Sequence, residues 1–121
     1  MSHDLLAWND FKQNSDGMVP VIVQEEGSKD VLMLAYMNEE AYEETIRTGL
    51  MTYWSRSRNQ LWTKGLTSGH IQEMIRLMAD CDFDTLLATV RQVGGIACHT
   101  GAHSCFHNPI IDREEKGKEN V

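Results

Sequence analysis

The chain has no run of eighteen apolar residues, no internal repeat, no low-complexity block and no basic surplus, and only three of its 121 residues are cysteine. Without such a run there is no candidate membrane-spanning helix, and without a basic and apolar leader there is no secretory signal, so a cytoplasmic protein with no membrane partner is expected. Eleven basic against eighteen acidic side chains give a formal net charge of −7. That balance argues against general nucleic-acid binding, which leaves a basic face, while a local cationic pocket stays compatible with it. An odd number of cysteines does not make a secreted disulfide framework, and a reducing compartment leaves all three available as thiolates.

A chain of this length suits one domain and buries roughly two-thirds of its unfolded surface, enough for a core without disulfides. A hydrophobic fraction of 41% beside 24% charged residues is that of a globular protein. Residues 19–24 (VPVIVQ) and 31–37 (VLMLAYM) are apolar and rich in branched side chains around a turn-like EEGSKD, which predicts a hairpin of buried strands. Asn38 caps a predicted helix with Glu39 and Glu40 in its first turn, Ala41, Tyr42, Thr45 and Ile46 on one face, and Gly49 as its stop. Residues 51–58 are expected to be extended and 85–93 to form a further strand. Residues 71–80 are ambiguous: Ile71, Met74, Ile75 and Met78 follow a helical period, while Ile71, Ile75 and Leu77 fit strand alternation. The charged segment 112–121 is expected to fray.

Within residues 79–84, ADCDFD, an aspartate stands at every second place. In an extended chain Asp80, Asp82 and Asp84 point to one side and Cys81 and Phe83 to the other, so one segment would serve two metal sites. The chemistry sorts the same way, since carboxylates are hard donors suited to magnesium or calcium and a thiolate is a soft donor suited to zinc. An EF-hand loop is excluded, because its sixth position would be Thr85 where glycine is required and its twelfth Arg91 where a bidentate glutamate belongs. A solvated acidic turn explains the isolated triplet equally well.

Free cysteines are commonly buried as small hydrophobes, but Cys98 and Cys105 lie in GGIACHTGAHSCF, a stretch too polar for a core strand. Their spacing is wider than a zinc knuckle, and three thiolates would leave open the fourth position that a catalytic zinc keeps for water. His99, His103 and His107 are each able to close it. Upstream, residues 54–70 (WSRSRNQLWTKGLTSGH) set Arg56, Arg58 and Lys64 among Thr67, Ser68 and Gly69. These cations, hydroxyls and backbone amides suit phosphate groups, and Trp54 and Trp62 are available to stack on a base. A surface hairpin with snorkelling arginines explains the same residues, and a grip on single-stranded RNA is disfavoured by the negative charge.

The ordered motifs RSRNQLWTKGLTSGH, DCDFDTLL and CHTGAHSCF closely resemble those of the phosphoribosyl-AMP cyclohydrolase family, enzymes of histidine biosynthesis that open the adenine ring of phosphoribosyl-AMP at the N1–C6 bond. The likeness runs from about MLAYMN to Phe106. It implies a small single α+β domain over residues 1–121, of mostly antiparallel strands with one or two helices, forming a homodimer with active sites at the subunit interface. It also argues that residues 71–80 are a strand. The resemblance implies one zinc per subunit on Cys81, Cys98 and Cys105, one magnesium per subunit on Asp80, Asp82 and Asp84, and His99 as general base. Arg56, Arg58, Trp62, Lys64, Thr67, Ser68 and His70 are the candidates for holding substrate. One position departs from the family, which usually has glutamate where this chain has Leu66. Members also occur fused to a pyrophosphohydrolase domain acting one step earlier, and a monofunctional chain is expected here.

Such ring opening adds water at C6 of a purine made electrophilic by ribosylation at N1, then expels N1. Zinc would lower the pKa of water from about 15.7 towards 7, and a histidine titrating near neutral pH suits the proton transfer. The alternative from another class is a zinc-stabilised RNA-binding module without catalysis, which needs closed zinc coordination and salt-sensitive affinity. A purely structural metal-binding protein would turn over no nucleotide.

Overall fold

Alternating apolar residues draw Val19–Glu25 (β1) and Val31–Met37 (β2) into the expected antiparallel hairpin, with Val19 opposite Met37 and Val23 opposite Met33. The computed structural model describes residues 6–114. After β2 the Asn38 side chain accepts the Ala41 N–H at 3.0 Å and caps α1 (Glu39–Thr48). Gly49 ends the helix in the left-handed region at φ 80°, which a residue without Cβ adopts at little cost. Ala41, Tyr42 and Thr45 are buried, and Ile46 packs against the core.

The extended stretch expected over residues 51–58 is shorter than its sequence suggests. It pairs only as β3 (Thr52–Ser55), antiparallel to β4 (Gln60–Thr63), because the chain turns between them where the Asn59 N–H bonds the Ser55 carbonyl at 2.7 Å. The strands β5 (Gln72–Ala79) and β6 (Leu86–Gln92) complete a four-stranded sheet in the order β2-β1-β6-β5. Its outer seams are antiparallel and its central seam, β1 with β6, is parallel. The architecture is therefore a small α+β domain, with one α-helix and mostly antiparallel strands.

Residues 71–80 are strand, and the helical appearance of their pattern has a structural cause. The ladder to β6 shifts register between Met74 and Arg76, leaving Ile75 as the bulged residue. Past the bulge the inward phase changes, so Met74, Leu77 and Ala79 pack on the core while Ile75 and Met78 are exposed. Strand alternation is therefore broken at Ile75, and the residues of the helical reading divide, Met74 inward and Ile75 and Met78 outward.

The core side of the sheet carries Val19, Val21, Val23, Met37, Leu86, Ala88 and Val90, all buried. Trp8, Phe11 and Tyr42 close one end as an aromatic cluster with centroids 5.2–5.6 Å apart. Of the charged tail 112–121, residues 115–121 lie outside the described residues. Among the described residues no helix is long and apolar enough to cross a membrane.

A buried polar seam joins the small β3–β4 sheet to the large one. The Tyr53 hydroxyl donates to Gln72 Oε1 at 2.6 Å, Gln72 Nε2 donates to Gln92 Oε1 at 2.8 Å, and Gln92 Nε2 donates to the His70 carbonyl at 3.0 Å. All three side chains are buried. Burial pushes the Tyr53 phenol well above its usual range, so it stays protonated and donating. Replacing Gln72 by leucine orphans the Tyr53 hydroxyl and Gln92 Oε1, at about 1–3 kcal/mol for each buried group. In urea unfolding Gln72→Leu is expected to lose about 2–6 kcal/mol on that basis, and Tyr53→Phe, which orphans one acceptor, correspondingly less. Wild-type stability in Gln72→Leu would show that the seam contributes no cohesion.

Candidate active site

The β3–β4 hairpin and the loop after it build one wall of a cleft. Thr63 pairs with Thr52, the Lys64 N–H donates to the Met51 carbonyl at 3.1 Å, and the loop closes where the Gly69 N–H meets the Gly65 carbonyl at 2.7 Å. Gly65, at φ 82°, admits no side chain, because a Cβ there would lie 2.2 Å from the His70 carbonyl carbon. Gly94 is similar, its missing Cβ leaving room for the His70 ring. His70 is thus clasped between two glycine turns while its carbonyl rests on Gln92.

Arg58, Trp62, Lys64, Thr67, Ser68 and His70 all line this cleft of about 590 Å³, together with Cys98 and His99. A second cleft of about 520 Å³ shares Arg58, Trp62, Lys64 and His99 with the first and is lined by Cys105 as well. Both volumes suit a small molecule. Arg56 is separate from this group. Its guanidinium stacks on Tyr36, 4.0 Å from the ring centroid, and lines another hollow with Asp16, Asn38 and Trp54. Leu66, 70% exposed, stands on the rim of the first cleft.

The opposite wall is the irregular segment after β6, held by stitches rather than by a ladder. The Ala97 N–H bonds the His103 carbonyl at 3.1 Å, the Cys98 N–H bonds the Ala102 carbonyl at 3.0 Å, and the Cys105 N–H bonds the Leu32 carbonyl at 2.7 Å. The Ser104 hydroxyl adds a bond to the Val31 carbonyl at 2.8 Å. This folding brings the thiols of Cys98 and Cys105 together. The Thr100 hydroxyl donates to Cys98 Sγ at 3.1 Å. With the Thr100 N–H, His107 and Cys105 also bonding that sulfur, these donors lower the Cys98 thiol to about 6, against the opposing effect of burial. Burial raises Cys105, and the neighbouring Cys98 raises it further. At neutral pH the pair is one thiolate beside one thiol, an arrangement of soft donors that fits zinc. Thr100 was not a sequence candidate; its place two residues after Cys98, in a turn-forming CHTG, is the signal that marks it.

The three histidines of this segment take different places. His103 is engaged elsewhere, with Nδ1 2.6 Å from the Gly95 carbonyl and Nε2 3.1 Å from Glu25 and 3.4 Å from Asp30. The Gly95 bond, with help from the two carboxylates, raises its pKa above the usual histidine value, although partial burial works against this. His107 Nε2 is 3.9 Å from Cys98 Sγ. His99 is exposed and faces both clefts.

The acidic triplet corrects the expectation of an extended chain. Residues 80–85 form the β5–β6 turn, closed by the Asp80 N–H to the Thr85 carbonyl at 3.0 Å and the Phe83 N–H to the Asp80 carbonyl at 3.1 Å, with Phe83 at φ 62°. Strand alternation therefore does not sort the carboxylates from Cys81. The three carboxylates converge all the same, each offering an oxygen within 4.8 Å of the others, because Asp80 Oδ1 accepts the N–H groups of Asp84 and Thr85 and folds the turn inward. Desolvation raises Asp80, but those hydrogen bonds together with others to the Asp84 and Asp82 side chains outweigh it and lower its pKa. The Thr85 hydroxyl favours the charged form of Asp84, but the Asp80 and Asp82 carboxyls outweigh it and raise Asp84. A hard divalent cation would relieve that crowding.

Cys81 is exposed in this same turn, before β6 begins, whereas Cys98 and Cys105 lie past its other end. A seven-residue strand is about 20 Å long. Among the described residues, no three cysteines converge within one chain.

Residues 33–107 match the family model for phosphoribosyl-AMP cyclohydrolase. A protein of that name from Streptococcus sanguinis (strain SK36) is 58% identical over 106 residues, 88% of this chain and 91% of that protein. Another from Trichormus variabilis is 51% identical over 110 residues, covering 91% and 95% of the two chains. A third from Ralstonia nicotianae is 54% identical over 109 residues, covering 90% and 78%. With its thiol pair, its facing histidine and its cation-lined cleft, and with more than half of its length matched, the chain belongs to the phosphoribosyl-AMP cyclohydrolase family.

Proposed function

We propose that this chain hydrolyses the N1–C6 bond of phosphoribosyl-AMP, using zinc on its thiolates and magnesium on its acidic turn, in a homodimer whose sites are shared between copies. The observation that carries this reading is the Cys98–Cys105 pair with His99 beside it on the wall of the cleft that gathers Arg58, Trp62 and Lys64. Zinc, when bound, supplies a water acidified from a pKa of about 15.7 towards 7. His99, next in the chain to a thiolate ligand, takes the proton of the attacking water and returns it to N1. Oxygen joins C6, the C6–N1 bond breaks, and C6 is left as a carboxamide. Trp62 offers a face for the purine, and Arg58 with the hydroxyls of Thr67 and Ser68 offers charge and donors for phosphate.

The separation of the cysteines supports the two-copy reading. A second copy running in the opposite direction presents its Cys81 to the Cys98–Cys105 pair of the first, and two-fold symmetry makes two equivalent sites. The acidic turn travels with Cys81, so Asp80, Asp82 and Asp84 arrive at the same place. The outer face of the large sheet suits this packing. Leu34, Ile22, Leu87 and Met78 are register partners in one row across all four strands. Three of the four are exposed in the single chain, and a contiguous apolar row of this kind marks a partner face.

Incubating the zinc-loaded protein with phosphoribosyl-AMP and magnesium should give the ultraviolet change of ring opening; absence of turnover would remove the reading. His99→Ala is expected to keep its zinc and lose about 10²–10⁴-fold in kcat, the share of general acid–base catalysis. Near wild-type kcat in that variant would take His99 out of the mechanism. Cys81→Ser and Cys98→Ser should each be inactive alone. Mixed after unfolding and refolding together, they should recover about a quarter of wild-type activity, because half of the dimers are hybrid and each hybrid keeps one intact site. No recovery would mean that each site belongs to one chain.

A further inference from the structure

We infer that Lys64 positions the thiolate pair and balances its charge, and is not an anchor for substrate phosphate. This rests on the zinc reading above. Lys64 Nζ donates to the Ala97 carbonyl at 2.5 Å, and Ala97 is the residue immediately before Cys98. The bond therefore fixes the backbone from which the Cys98 thiol projects. The same ammonium lies over the Trp62 ring, 5.3 Å from its centroid, which shields one side of it. Its charge is also coupled to Cys105 and Cys98. An ammonium has three donors and no lone pair, so Lys64 adds positive charge beside the thiols without competing as a ligand, and the Ala97 carbonyl already takes one of its donors.

Charge gives the arrangement a purpose. Three thiolates around a divalent cation carry a net charge of −1, and a half-buried position strengthens the attraction of a nearby cation over its value in water. The stem of Lys64 enters from the end of β4, and its N–H is held by Met51. One side chain thereby couples the hairpin carrying Arg58 and Trp62 to the segment carrying the thiols. Arg58 makes no contact of this kind with the thiols and is the better phosphate anchor.

The test uses Lys64→Met, Lys64→Gln and Lys64→Arg, with Arg58→Ala as comparator. Zinc retention is measured against a chromophoric chelator in each preparation, beside kcat and KM. Lys64→Met is expected to hold zinc about 10–100-fold more weakly, the usual effect of removing a partner of a metal's ligands, with kcat lowered and KM little changed. Lys64→Arg should recover part of the zinc retention because the charge returns. Arg58→Ala should raise KM and leave zinc in place. If Lys64→Met loses its fold by circular dichroism, Lys64→Gln decides, since it keeps a polar donor, on a side chain one bond shorter, and removes the charge. Weaker zinc binding in Lys64→Gln supports the inference. Wild-type zinc retention with raised KM in either neutral variant overturns it and makes Lys64 a phosphate anchor. A wild-type protein that binds no zinc overturns the proposed function and this inference together, whereas equal binding by wild type and Lys64→Met overturns this inference alone.

Discussion

The chain of hydrogen bonds from Tyr53 through Gln72 to Gln92 holds the cleft together. It works beside the Lys64 bond to the Ala97 carbonyl, which joins the two walls directly. The hairpin β3–β4 is too short to be stable in isolation; Tyr53 and the Met51 N–H on the Gln72 carbonyl tie it to the large sheet, and the Thr45 hydroxyl ties Thr52 to α1. At the far end of the chain, Gln92 reaches the carbonyl of His70 and fixes the rim of the cleft. Such a network is strong in a low-dielectric interior and costly when incomplete. Among the described residues every buried side-chain polar atom has a partner, so the cost is met in full.

Against that rigid seam the cysteine segment is an irregular strap. Its stitches to Val31 and Leu32 come from β2, the clasp of His103 comes from the β1–β2 turn, and the bond to Lys64 comes from β4. Three separate elements therefore aim two thiols. A helix or strand would impose its own period on Cys98 and Cys105, whereas a loop tied at several points is free to place them together and still leave His99 facing the cleft.

Local chemistry made much of this legible before any coordinates. The first hairpin, the Asn38 cap and the Gly49 stop each depend on neighbouring residues, and each stands where the pattern puts it. The bulge at Ile75 explains why β5 is ambiguous, since its inward phase changes within the strand. The acidic triplet converges, but through the turn that Asp80 folds around itself and not through strand alternation. The separation of Cys81 from the other two cysteines was invisible in their spacing, because it depends on which way β6 runs. Arg56 and Arg58, two residues apart, look equivalent in sequence; one stacks on Tyr36 and the other lines the cleft.

The parallel seam between β1 and β6 also governs the order in which the molecule can be assembled. It sets Val21 beside Leu86, so the first strand keeps one bare edge until the last of the described strands has been made. The β1–β2 hairpin and α1, built from near neighbours, are free to form early, but the sheet closes only after a long loop has been drawn together, a slow step for a chain of this size. During that interval the open edge of β1 is the place where another chain would add itself. The cysteine strap follows β6 directly and is stitched to β2, so it takes shape only once that edge is covered. The Cys98 and Cys105 thiols are thereby brought together late, on a scaffold whose strands are already paired.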